Sequence, residues 1–235
     1  MTMPTNNISF IKHHPSKQLL EQHIEGKLPL SMALAVAAHI ELCPHCQQLE
    51  LQLTPQIANA SWAQSKVAQL DLEQDINVDA CFSAMLSDIT ESSDDNTSYH
   101  ESEPLSIECK GVTYTLPRAF TKFHQLNWRN LGKISRARLP FEEAEVRSSL
   151  LHIGKGGTIP THTHKGYELT LLLAGDFEDE NGHYVAGDFI LLDESHSGHS
   201  PKTSEGCLCY TVSNAPLHFT QGVSQLFNSI GKVIY

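Results

Sequence analysis

The chain has 235 residues, 40% of them apolar, with 27 acidic and 16 basic side chains for a formal charge of -11, 14 His and six Cys. That size and composition support one large or two smaller globular domains. The sequence contains no apolar run of the roughly 18 residues a membrane span needs. The N-terminal MTMPTNNISFIKHH also lacks the basic-then-apolar order of a secretory signal, so a cytoplasmic protein is expected. Residues 67–109 hold eleven Asp and Glu and no Lys or Arg, which accounts for the whole negative excess. Such a chain is repelled by nucleic-acid phosphates, so direct DNA or RNA binding is disfavoured, whereas a basic protein partner is attracted. In a reducing compartment, six Cys beside 14 His read as metal ligands or reactive thiols rather than as a disulfide framework.

In chain order, Ser16 is placed to N-cap a helix KQLLEQHIE that Gly26 ends, and LSMALAVAAHI (30–40) is rich in good helix formers. Helical stretches around SWAQSKVAQLDLEQ and DACFSAMLSDI complete a predicted bundle of about four helices. TESSDDNTSYHESEP then has almost no apolar residue and reads as an exposed linker. Beyond it, ISRARL, EVRSSLLHI, YELTLLLAG, HYVAGDFILL and GCLCYTV are short apolar and β-branched runs with turn residues between them, the pattern of an antiparallel sandwich or barrel. The expected organisation is therefore a multidomain α plus β chain: a helical domain over 1–90, an acidic linker over 91–103 and a β-barrel domain over 104–235.

The helical half contains His39, Cys43 and Cys46 as H-x3-C-x2-C. On one helix these residues share a face, and two thiolates with an imidazole suit zinc, which takes a fourth ligand in a closed tetrahedral site. His13, His14, His23 and His45 are the candidates for that place. A redox role for the C-x-x-C is disfavoured because no βαβ pattern surrounds it.

HHPSKQLLEQHIEGKLPLSMALAVAAHIELCPHC resembles the zinc-binding anti-sigma domain, specifically its ChrR branch, with its His pair, Gly-x-Leu turn and closing His-x3-Cys-x2-Cys. The resemblance implies His14 as the fourth ligand beside His39, Cys43 and Cys46, and leaves His23 unused.

In the second half, alternation places His162 and His164 on one strand face, with Glu168 within reach of it and a turn expected at Gly175. GTIPTHTHKGYELTLLLAG followed by GDFILLDESHSGH resembles the two cupin motifs, which implies a metal held by three His and one Glu. Spacing leaves both His196 and His199 open as the last ligand. The His-x-Pro of ChrR-like proteins, matched by HSP, implies His199. A set of three His and one Glu accepts zinc or another divalent transition metal.

Cys207 and Cys209 read as small buried residues rather than a redox pair, Cys81 and Cys109 as structural, Asp188 as a turn former, and Trp62 and Trp128 as packing residues. The combined resemblance covers most of the chain. It implies a regulator and not an enzyme: an anti-sigma factor whose zinc domain binds an extracytoplasmic-function sigma factor, with a cupin domain that senses singlet oxygen or organic peroxide. The partner would dock on an apolar helix face within LPLSMALAVAA. The rival expectation is a cupin metal-dependent dioxygenase or oxidoreductase with an N-terminal zinc domain, and a metal-storage or zinc-sensing module is a third.

Overall fold

The computed structural model describes residues 10–64, 78–91 and 104–219. The expected linker therefore lies almost wholly outside the described residues, as does most of the SWAQSKVAQLDLEQ stretch.

Helix α1, Lys17–Ile24, starts at Ser16, whose side chain accepts a hydrogen bond from the Leu19 amide. It ends before Gly26, which has a left-handed φ of 66° that a side chain would oppose. Helix α2, Leu30–Leu42, is closed by the Cys43 amide donating back to the carbonyls of His39 and Ile40. Pro44 explains the break: it disfavours helical backbone in the residue before it, and Cys43 is accordingly extended at φ -116°, ψ 102°. Pro44 then serves as the first residue of α3, Pro44–Gln64, where its missing amide costs nothing. The H-x3-C-x2-C motif thus spans two helices and the corner between them, not the single helix that its spacing predicts. Helix α4, Val78–Glu91, follows.

The strands are β1 Ser106–Cys109, β2 Val112–Thr115, β3 Trp128–Leu131, β4 Ile134–Arg138, β5 Arg147–Ile153, β6 His162–Thr163, β7 Glu168–Asp179, β8 Gly182–Val185, β9 Phe189–Leu192, β10 Cys207–Ser213 and β11 His218–Phe219. All pairings are antiparallel. The main sheet runs β3-β4-β5-β10-β7-β8, with β9 also on β7; β1-β2 and β6-β11 form separate pairs. Among the described residues the hydrogen bonding does not close on itself, so the antiparallel β half expected from the sequence takes the form of an open sandwich. HYVAGDFILL divides into β8 and β9 around Gly187. Gly175 makes no turn: it sits within β7 at φ 75°, where a Cβ would lie 2.1 Å from the Gly206 carbonyl oxygen, and it lets the strand bend past β10.

Strands β5, β7 and β10 are buried on both faces, which explains their near-continuous apolar sequences. Leu150, Leu169, Leu171, Leu208, Tyr210 and Val212 point outward into a core shared with the helices. Ile153, Leu172, Cys207 and Cys209 point inward into a second core. The helical side of the shared core is mainly α2: Met32, Leu34, Ala35, Val36, Ala38 and Ile40 are buried. That face is consumed by the chain's own packing, so it is not the partner surface anticipated for LPLSMALAVAA. Cys109 is buried and Trp128 packs partly against the shared core. Cys81 is exposed on α4, and Trp62, read as a packing residue, is 82% exposed on α3.

The Tyr210 hydroxyl donates to the Ser31 carbonyl at the start of α2 (3.1 Å), and the Phe120 ring, fully buried, stands edge-on to Tyr210 at 5.2 Å. Glu143 accepts from the Ser31 amide (2.9 Å) and hydroxyl (2.5 Å), and the Glu41 carboxylate accepts from the Arg118 amide at 2.7 Å. Truncating Phe120 to Ala removes a ring wedged between α2 and the sheet, and a loss of about 3–5 kcal/mol is expected. Denaturant unfolding followed by far-UV circular dichroism measures it; an unchanged midpoint would show that helices and sheet do not depend on this joint core.

Candidate metal centres

The first cluster forms where the chain entering α1 crosses the α2–α3 corner. His14, His39, Cys43 and Cys46 bring one donor atom each to within 4.8 Å of one another. His39 Nε2 is 3.2 Å from Cys46 Sγ, and His14 Nδ1 is 3.5 Å from Cys43 Sγ and 3.6 Å from Cys46 Sγ. Bonds of about 2.0–2.3 Å from tetrahedral zinc to N and S imply ligand separations of roughly 3.3–3.8 Å, close to the 3.2–3.6 Å between these donors. His39 is fully buried, and its Nδ1 lies 2.7 Å from the Gly187 carbonyl oxygen. A carbonyl only accepts, so Nδ1 carries the proton and Nε2 presents its lone pair to the cluster. Burial pushes the His39 pKa down to about 4, keeping the ring neutral. Burial, then the neighbouring Cys43 thiol, pushes the Cys46 thiol up to about 12. Two thiolates in such a place need a cation between them, so the donor set fits a bound metal ion.

The remaining candidates stand apart. His13 is exposed and packs on Tyr184 with ring centroids 4.9 Å apart. His45 is exposed in the first turn of α3, and His23 belongs to α1, where burial lowers its pKa against the opposing charge of Glu50. None of the three is in the cluster.

The second cluster, His162, His164, Glu168 and His199, lies inside the sandwich. β6 carries His162, His199 pairs with it across an isolated bridge, and Glu168 opens β7. His162 Nε2 and His199 Nε2 are 3.1 Å apart, and His164 Nε2 and His199 Nε2 3.2 Å apart. The Glu168 carboxylate is 3.3 Å from His164 and 3.8 Å from His162. His162 Nδ1–H donates to the Pro160 carbonyl (2.9 Å) and His199 Nδ1–H to Asp179 (2.8 Å). Both Nε2 lone pairs therefore face each other, an arrangement that a cation between them satisfies.

Burial pushes His164 down to about 4. Burial opposes protonation of His162 as well, but the hydrogen bond and charge of Glu168 and the Pro160 carbonyl raise its pKa overall. Burial likewise works against the Glu168 carboxylate, yet the hydrogen bond from His162 and the charges of the three histidines hold its pKa below the usual range. His196 is outside the cluster: it pairs with Asp193 at 2.9 Å and its side chain is 44% exposed.

Sequence reasoning missed the residues that hold these ligands. Asp179, the last residue of β7, has a buried side chain that orients His199. The Gly187 carbonyl orients His39 from the other half of the chain. Asp188, read as a turn former, does accept from the Val185 amide within its own turn (2.8 Å). It is also fully buried, and its other oxygen accepts from the amides of Lys12 and His13 at 2.7 and 2.9 Å, directly before ligand His14. The D-E-N-G turn around Asp179 is recognisable as a turn, but nothing local identifies a histidine 20 residues away as its partner.

Residues 117–217 match the family model described as the ChrR cupin-like domain. The anti-sigma-E factor ChrR of Cereibacter sphaeroides is 27% identical over 232 residues, covering 95% of this chain and 99% of its own length. This chain is similar to that protein over nearly its whole length. In the crystal structure of Rhodobacter sphaeroides SigE in complex with the anti-sigma ChrR, a chain 26% identical superposes with a TM-score of 0.62, covering 87% of this chain and 99% of that one. The ChrR likeness therefore extends across both metal clusters and not only over the cupin half.

Two metal equivalents per chain are expected from the two donor clusters, measured by elemental analysis of the purified protein. His14→Ala or Cys46→Ser is expected to lose one equivalent and His199→Ala the other. His45→Ala and His196→Ala are expected to retain both, and loss of an equivalent from either would reassign that cluster.

Proposed function

We propose that this chain is a cytoplasmic anti-sigma factor that binds and inhibits an extracytoplasmic-function sigma factor. The observation that carries the reading is its similarity, through both the helical and the cupin halves, to a ChrR solved in complex with a sigma factor. The role is regulatory and not enzymatic. Among the described residues no helix is long and apolar enough to cross a membrane, in keeping with a partner that works on cytoplasmic transcription.

Zinc is the metal for the helical cluster, because two thiolates and two imidazoles at tetrahedral spacing are a closed structural set. His14, His39, Cys43 and Cys46 would hold it and thereby pin the entry to α1 against the α2–α3 corner. His162, His164, Glu168 and His199 would hold zinc or another divalent transition metal in the cupin domain, the sensory half for singlet oxygen or organic peroxide.

With most of α2 covered, exposed apolar surface available to a sigma factor lies on α4 and α3. Phe82, Met85, Leu86 and Ile89 recur at helical spacing along one stripe of α4 and are 44–62% exposed. Trp62 and Leu51 add exposed apolar area on α3. Such stripes fit a partner's helices, and the acidic stretch over 67–109 favours approach of a basic protein.

Besides the shared core, the two clusters are linked through the turn at Gly187 and Asp188. Leu172, four residues along β7 from Glu168, exchanges backbone hydrogen bonds with Gly187 and Asp188 (2.7 and 3.0 Å). Those two residues hold His39 and the segment before His14. A change at the cupin metal thus has a short, hydrogen-bonded route to the zinc site.

Co-expression with an extracytoplasmic-function sigma factor from the same genome is expected to yield a 1:1 complex on size exclusion. Paired replacement of Phe82 and Leu86 by Asp should abolish it with both metals retained; an unaffected complex would remove α4 from the interface, and no complex with the unaltered chain would sink the anti-sigma reading. Asp188→Asn must point an amide N–H at backbone N–H groups, a cost of roughly 1–3 kcal/mol. Zinc is expected to pass to a chelator several-fold faster from this variant than from the parent. Equal rates would show that the turn does not support the zinc site.

A further inference from the structure

One buried side chain reaches toward the ligands of both metal clusters. β7 and β8 pair with Phe177 opposite Tyr184 and Asp179 opposite Gly182, so Phe177, Asp179 and Tyr184 share one face of this hairpin. Gly182 has no side chain to cover Asp179, and a diagonal cross-strand neighbour lies within reach of an aromatic ring. The Tyr184 ring packs on Phe177 with centroids 4.9 Å apart, and its phenol is hydrogen-bonded to Asp179. Burial, then the charge of Asp179 and the hydrogen bond to it, push the phenol up to about 12, so it stays protonated and donates to the carboxylate.

Asp179 is the carboxylate that orients His199: its Oδ2 accepts from His199 Nδ1 at 2.8 Å, and its Oδ1 accepts from the amides of Asn181 and Gly182 at 2.8 and 3.1 Å. The same Tyr184 ring lies 4.9 Å from the ring of His13, the residue before ligand His14. His13 is itself held on both sides of its backbone. Its amide donates to Asp188 and its carbonyl accepts from the Phe189 amide, each at 2.9 Å. With a divalent cation on its Nε2, His199 becomes a stronger donor from Nδ1, and the charge of Asp179 is partly offset. Without the cation, more of that charge falls on the other donors to Asp179, the Tyr184 phenol among them. The pull on the phenol therefore differs between the filled and the empty cupin cluster. A ring packed between Phe177 and His13 in a dense interior transmits that difference to the chain before His14.

We infer that Tyr184 is a positioning residue that couples the two centres: filling the cupin cluster steadies the His14 side of the helical cluster through Asp179, Tyr184 and His13. This side-chain route is separate from the backbone route through Leu172 and Gly187. The inference deepens the regulation proposed above and rests on that reading for its biological meaning, since it joins the sensory half to the half that meets the sigma factor. The coupling itself needs no sigma factor.

The test is the rate at which N-ethylmaleimide labels Cys43 and Cys46 in the full chain, held in excess free zinc and followed by peptide mass spectrometry. Zinc protects both thiols, so the rate reports opening of the helical cluster alone. The cupin cluster is emptied by the paired changes His162→Ala and His164→Ala, which leave His199, Asp179 and Tyr184 in place. In the otherwise unaltered chain, emptying it is expected to raise labelling by about fivefold or more, the lower end of ordinary coupling between sites. With Tyr184→Phe, which keeps the ring and loses the hydroxyl, the same emptying is expected to raise labelling by less than about twofold. His13→Ala, at an exposed position, is expected to reduce the response in the same way. A role in packing alone shifts the filled and emptied rates by one common factor and leaves their ratio unchanged. That unchanged ratio in Tyr184→Phe, or labelling indifferent to the cupin cluster in the unaltered chain, would overturn the inference. Each outcome is read without a sigma factor, so it stays separate from failure of the complex on which the anti-sigma reading depends.

Discussion

An antiparallel sheet with one wet face can stand beside a helical domain without depending on it. In this chain the central strands have no wet face. Side chains alternate along β5, β7 and β10, and both sets are buried: the outward leucines and Tyr210 against α2, the inward Ile153, Leu172 and cysteines around the cupin cavity. Because the outward set is covered by α2, the helices that carry one metal cluster and the strands that carry the other are parts of one packed body. A register slip of one residue in β7 would turn Glu168 out of the sandwich and Leu169 into it, so burial on both faces also sets the geometry of the cupin site.

The two clusters share a way of organising their ligands. In each, a histidine is fixed by a hydrogen bond on the nitrogen that faces away from the metal position: Gly187 for His39, Asp179 for His199, Pro160 for His162. Burial keeps His39 and His164 neutral, so their lone pairs are available at physiological pH without a proton to displace. The difference lies in surroundings. The helical cluster sits at a corner between helices with two thiols among its donors, whereas the second cluster borders a small chamber beside a larger cavity.

Much of this was legible in the sequence. The caps of α1 stand in local residues, Ser16 and Gly26, and local chemistry governs them. The two sets of donor residues that converge are visible in the sequence because metal chemistry restricts both residue type and spacing. Other features were misread for equally physical reasons. Pro44 breaks the single helix that the H-x3-C-x2-C spacing predicts, because spacing alone does not carry the backbone restriction a proline imposes. Gly175 lies in a bent strand where the sequence predicts a turn, because a left-handed glycine serves both equally well. Trp62 and the apolar run of α2 exchanged roles: composition marks both as apolar, but only packing decides which is covered and which remains for a partner.

The sequence by itself determined the order of helices and strands, the chemical kinds of the two donor sets and the family likeness, since each depends on residues close together or on a spacing that chemistry requires. Only the tertiary structure decided which histidines converge, because His14 and His199 come from segments whose distance in the chain says nothing of their distance in space. It alone placed Asp188 and the Gly187 carbonyl against the His14, His39, Cys43 and Cys46 cluster, where an aspartate in a turn holds backbone about 175 residues away. A backbone carbonyl has no letter in the sequence, and a buried carboxylate reveals its partners only when the chain has folded around it.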